Sequence, residues 1–102
     1  MKPADKASAI AAAIQQRVRL QLDYDGAERT FEPHTLGTDA AGMAMVCGYQ
    51  VRGGSRSGQG SGWKTFSLTR IGRLRALEEH FSHPRAEYRR DDPGFARIDA
   101  QL

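Results

Sequence analysis

Trp63-Lys64-Thr65-Phe66-Ser67-Leu68-Thr69-Arg70-Ile71 decides how the fold is read. Phe66 and Leu68 alternate with Lys64, Thr65, Ser67 and Thr69, which is the period of a half-buried β-strand. Ahead of it lies Gly53 to Gly62, with five glycines and three serines, a composition that predicts a flexible hairpin connection. No Gly-Lys-Ser/Thr ending and no helix pattern follow that loop, so it is not a phosphate-binding P-loop. Thr69-Arg70-Ile71 predicts a tight turn or single helical turn, and Gly72 to Leu77 the next strand. From Arg52 to Arg75 there are six basic residues and no acidic one.

Working back, Met43 to Arg52 alternates as a strand, with Met43, Met45, Cys47, Tyr49 and Val51 on one face. Gly48 marks a bend in it. Arg17 to Tyr24 is a clear strand, with Val18, Leu20, Leu22 and Tyr24 pointing one way. Asp25-Gly26 predicts a hairpin turn, because glycine accepts positive φ at little cost. Glu28 to Leu36 is the return strand, and Pro33 marks an edge, a bulge or the strand's end. Before these strands, Asp5 to Gln16 reads as a helix capped by Asp5 or Ser8, with Ile10, Ala13 and Ile14 on one face. One helix and five short strands predict a mainly β domain of the α+β class. The expected form is a strongly bent antiparallel SH3- or Sm-like barrel over residues 1–80. Residues 81–102, charged and broken by Pro84 and Pro93, read as a partly ordered C-terminal extension with a short helix within Asp92 to Leu102.

A chain of 102 residues is one domain. Its single cysteine, Cys47, cannot pair within the chain and reads as a small buried hydrophobe. No apolar run approaches a membrane span and no signal peptide is recognisable, so a cytoplasmic protein is expected. His34, His80 and His83 form no metal-ligand spacing, and nothing assembles a nucleophile, base and orienting group. No enzyme, metal or cofactor is expected.

The net charge of +3 is uneven. Residues 1–51 hold five basic and six acidic groups, whereas residues 52–102 hold ten basic and six acidic. The imbalance points to an anionic partner for the second half. Lys64 and Arg70 are the leading cations, with Arg52, Arg56 and Arg73 around them. Arginine's fork of donors suits phosphate, and Tyr49 and Trp63 offer faces on which bases stack.

In this order of elements the chain resembles the WYL domain, the ligand-sensing module of bacterial transcription regulators. The resemblance runs from Ile10 to Leu77 and is carried by Ala9-Ile10-Ala11-Ala12-Ala13-Ile14, Val18 to Tyr24, Phe31-Glu32-Pro33-His34 and Lys64 to Ile71. The last of these is similar to the family's Arg-x-Phe-x-Leu-Asp-Arg-Ile. The tripeptide that names the family falls at Met43-Ala44-Met45, so its tyrosine is absent. Lys64 keeps the charge of the family's first arginine without its fork, and Arg70 carries over unchanged. The family's winged helix-turn-helix does not precede Ile10. The resemblance implies a non-enzymatic, stand-alone sensing domain for an anionic ligand, such as single-stranded nucleic acid or a nucleotide. The rival expectation is a module for self-association or for docking to a regulator, with a degenerate ligand site.

Overall fold

A computed structural model describes residues 2–54 and 60–102. Alternation sets the first strand, β1 (Val18–Tyr24), whose Val18, Leu20, Leu22 and Tyr24 are all buried. Asp25 and Gly26 both take positive φ, 51° and 76°, as a two-residue hairpin turn of matching twist requires. The return strand β2 (Ala27–Thr38) is longer than the sequence suggests. It is followed by β3 (Ala44–Gly53), β4 (Gly62–Ser67), a 3₁₀ turn (Leu68–Arg70), β5 (Leu74–His80) and β6 (Arg97–Gln101). The expected flexible loop falls largely on residues 55–59, outside the described residues, and Arg56 lies there too.

Among the described residues the molecule is mainly β, with one helix and a six-stranded antiparallel sheet in the order β4-β3-β2-β1-β5, and β6 also on β2. Among these residues the sheet does not close, and β4 and β5 end it. The sixth strand corrects the expectation of a helix near the C-terminus. β1 pairs with β2 only as far as Phe31, so the rest of that edge, Thr35 to Thr38, is open to β6. Backbone groups left unpaired there draw in any extended segment that can reach them. Ile98 and Ala100 then alternate with charged neighbours, a pattern too short to read from sequence.

Pro33 marks a bulge. Pro33 pairs with Gly48 and Thr35 with Cys47, which leaves His34 as the extra residue of β2. A one-residue insertion reverses the pleat. Phe31 and Leu36, five positions apart, therefore both enter the core, while Glu32 and His34 face the other side of the sheet. The corresponding core face of β3 holds Val46, Gly48 and Gln50, so Cys47 sits half-buried on the opposite face rather than in the core.

The helix α1 (Pro3–Gln16) starts two residues before its expected start, because Pro3 is pre-set for a first turn. Lys2 caps it without a side-chain bond, and Asp5 sits in the first turn, where it suits the helix dipole. Ile10, Ala13 and Ile14 bury against the sheet. Lys6 lies on the same face and is 9% exposed, with Nζ donating to the carbonyls of Leu68 (3.2 Å) and Ile71 (2.6 Å). Those bonds tie the helix to the 3₁₀ turn, whose Leu68 carbonyl also accepts the Ile71 backbone N–H.

Gly37 has no room for a side chain, since a Cβ there would overlap the Arg97 carbonyl oxygen and the Phe95 ring. Gly37→Ala is expected to force β6 off β2 and to cost about 1–3 kcal/mol of stability by overpacking. Urea unfolding measures the loss. Hydrogen exchange should show a faster amide at Thr38, which faces β6, and unchanged protection there would contradict this docking of β6.

Candidate functional site

The outer face of the sheet carries a polar and aromatic cluster, covered by residues 81–96, a strap that crosses it before entering β6. His34, fully buried in the bulge, is its centre. Its ring stacks on Phe81 at 5.6 Å and meets Trp63 edge-on at 5.0 Å and Tyr88 at 5.3 Å. His34 Nδ1 donates to the Glu32 carbonyl at 2.8 Å, and Nε2 accepts the Arg85 backbone N–H at 3.1 Å. Those partners select the neutral Nδ1–H tautomer. Burial pushes the imidazole below its ordinary 6.5, against the upward pull of the Glu32 carbonyl and carboxylate.

Glu32 is also on this face and is 1% exposed. Its carboxylate takes Arg85 in a fork, Nε at 2.8 Å on Oε1 and Nη2 at 3.1 Å on Oε2. Arg19 shares Oε2, with Nε at 3.0 Å and Nη2 at 2.9 Å. Burial works to raise the Glu32 pKa, but the two arginines outweigh it and hold the group below its ordinary 4.5. Arg85 in turn lies over the Tyr49 ring at 4.4 Å. Arg19 Nη1 reaches Glu79 at 3.1 Å, and Glu79 takes Arg52 at 2.7 Å. The chain of charges therefore runs Arg52, Glu79, Arg19, Glu32, Arg85.

Two depressions flank the strap. One, of about 390 Å³, is lined by Arg19, Arg85, His80 and His83, with Glu32 at its base. The other, of about 300 Å³, lies among Cys47, Trp63, Tyr88 and Arg89. Burial pushes the Cys47 thiol upward, so it is a poor nucleophile there. Among the described residues no three His, Cys, Asp or Glu side chains gather as a metal-ligand set, and no helix is long and apolar enough to cross a membrane.

The residues singled out from sequence are distributed unevenly. Tyr49 and Trp63 meet edge-on at 6.1 Å within the cluster, and Trp63 Nε1 donates to the Ala86 carbonyl at 3.2 Å. Arg52 reaches the cluster's margin through Glu79. Arg70 is paired with Asp25 and lies 4.8 Å over the Tyr24 ring, whose hydroxyl accepts the Ser67 backbone N–H. Lys64 sits on β4 opposite Gly48. Arg73 lines a separate groove with Asp23, Glu28 and Arg75. Arg56 lies outside the described residues.

The sequence reading passed over Arg19, Glu32, His34 and Arg85 as site residues. The available hint was Glu32-Pro33-His34, a charged, bulge-prone insert between the apolar Phe31 and Leu36. Comparison with protein-family models, curated proteins and solved structures finds no match to the chain.

Both buried titrating groups make stability fall with acid, in separate windows. The unfolded chain protonates His34 first, so stability drops as pH falls below about 6.5. Glu32 adds a second loss below about 4.5, where the unfolded carboxyl takes up its proton. Urea unfolding from pH 7.5 to 5.5 should show the first loss in the wild type. The His34→Gln chain should be less stable at the upper pH and flatter across the range. An equal slope in both chains would remove His34 as the cause.

Proposed function

We propose that the chain is a non-enzymatic, cytoplasmic sensing domain of the WYL kind, built on an opened relative of the Sm-like barrel, and that it binds an anionic ligand on the strap-covered face. The support comes first from Arg85. A buried carboxylate, an aromatic ring and a backbone bond to His34 hold this half-exposed guanidinium in one orientation. Burying Glu32 to achieve this costs desolvation that an apolar residue would avoid. Such an arrangement adds little to stability and much to positioning. A fixed cation binds an anion without first losing rotamer freedom. Arg19 and Arg52 extend the positive charge, and Tyr49 and Trp63 supply the nearby aromatic surface. Arg70 is drawn toward Asp25 and contributes less than the sequence resemblance implies.

A labelled single-stranded oligonucleotide tests the reading. Phosphate contacts make affinity fall with salt, so raising it from about 50 to 200 mM should weaken binding severalfold or more. Arg85→Lys, which keeps charge and loses the fork, should weaken it further, while Arg70→Ala should leave most of it. Binding indifferent to both salt and Arg85 would sink the proposal.

A second reading has one observation in its favour. β4 and β5 end the sheet, and an unpaired strand edge can receive another copy of the chain. Light scattering on the eluting protein distinguishes them. A monomer that still binds the oligonucleotide excludes self-association as the main role.

A further inference from the structure

We propose that the cleft bounded by Arg19, Arg85, His80 and His83 takes a phosphomonoester, a terminal phosphate rather than the diester backbone of a strand. This rests on the anionic-ligand reading above and narrows it to a chemical class. The two guanidiniums share one carboxylate, that of Glu32, and so are held side by side at the cleft. The carboxylate is buried beneath them, while Arg19 and Arg85 side chains are 25% and 39% exposed. A ligand arriving from solvent therefore meets the cations first. The linked charges are three guanidiniums against two carboxylates, which leaves one positive charge in excess. Arg85 spends Nε and Nη2 on Glu32, and its Nη1 carries no hydrogen bond among the described residues. The second hydrogen of Nη2 adds a further donor.

The shape of the charge distribution separates the two phosphate types. A diester strand needs cations spaced along a track. Here the donors converge on one depression of about 390 Å³. Arg17 Nη1 donates to the Ser82 carbonyl at 2.7 Å and so brings a further cation to the same wall, while Arg52 is spent on Glu79. A monoester brings up to about two negative charges and three acceptor oxygens to one point. The remaining N–H groups of the two guanidiniums and the two imidazoles can answer those oxygens, and Ser82 lies in the same wall. A diester oxygen pair would use only part of this set.

The test compares a 5′-phosphorylated thymidine dinucleotide with the same dinucleotide lacking that phosphate, by calorimetry on the folded chain. Inorganic phosphate and a sugar phosphate are further arms. The phosphorylated dinucleotide is expected to bind at least about tenfold more tightly than its partner, a difference of about 1.4 kcal/mol. Arg85→Lys and His83→Ala should each reduce that preference severalfold. His83 is exposed, so its removal leaves folding intact. Arg70→Ala should preserve the preference. Inorganic phosphate binding as well as the dinucleotide would support a site that reads the phosphate alone. Tighter binding of the dinucleotide would support a nucleotide end, and equal binding of the sugar phosphate a base-independent monoester. Equal affinity for the two dinucleotides, or binding of a long oligonucleotide but neither dinucleotide, would overturn the inference and leave the broader reading standing. No binding by any of these probes, long oligonucleotide included, would overturn both. A preference unchanged in Arg85→Lys and His83→Ala would overturn the placement in this cleft.

Discussion

The extra residue in β2 is the constraint from which the rest follows. From Phe31 the pairing with β3 runs regularly to Pro33 and resumes at Thr35, with His34 unopposed. A regular strand would have kept Leu36 on the side of Glu32. The inserted residue instead returns Leu36 to the core and leaves His34 on the outer face. It also falls where the free edge of β2 changes partner, from β1 before it to β6 after it. A proline suits that place, since it brings no N–H that either partner would have to satisfy.

The outer face is thereby committed to polar groups, and the strap exists to complete them. Glu32 would be an uncompensated buried charge without Arg19 and Arg85. His34 would lack an acceptor role without the Arg85 backbone. His34 Nε2 and the Glu32 carboxylate are satisfied by Arg85, some fifty residues along the chain, which makes the arrangement specific rather than strongly stabilising. The aromatic rings of Trp63, Phe81 and Tyr88 exclude water around it. That keeps the imidazole neutral and lends each remaining hydrogen bond more electrostatic strength.

Local patterns were legible in the sequence, and long-range compensation was not. The alternation of Val18 to Tyr24, the Asp25-Gly26 turn and the helical face of Ile10 and Ile14 survive in the structure, because each depends on near neighbours. Met43 to Arg52 shows the limit of that method. Both of its faces carry apolar residues, and only packing shows that Val46 rather than Cys47 enters the core. The acid-free run from Arg52 to Arg75 looks uniformly positive on paper. In space Asp25 and Glu79, which lie outside the run, pair with two of its arginines. The grouping of Arg19 with Arg85 depends on the strap's path, which no periodicity encodes. β6 was hidden for a similar reason, since five residues with two apolar positions carry too little pattern to show as a strand.

The late arrival of β6 bears on how the protein emerges from the ribosome. Thr35 to Thr38 leave the exit tunnel early, yet the residues that cap their edge are made long afterwards. During that interval the nascent chain can form the β1–β2–β3 meander but still shows an unsatisfied strand edge. Completion of the sheet is then timed by synthesis of the last strand, and a chain stalled before Arg97 would present a sticky intermediate to chaperones and to its neighbours on the same message.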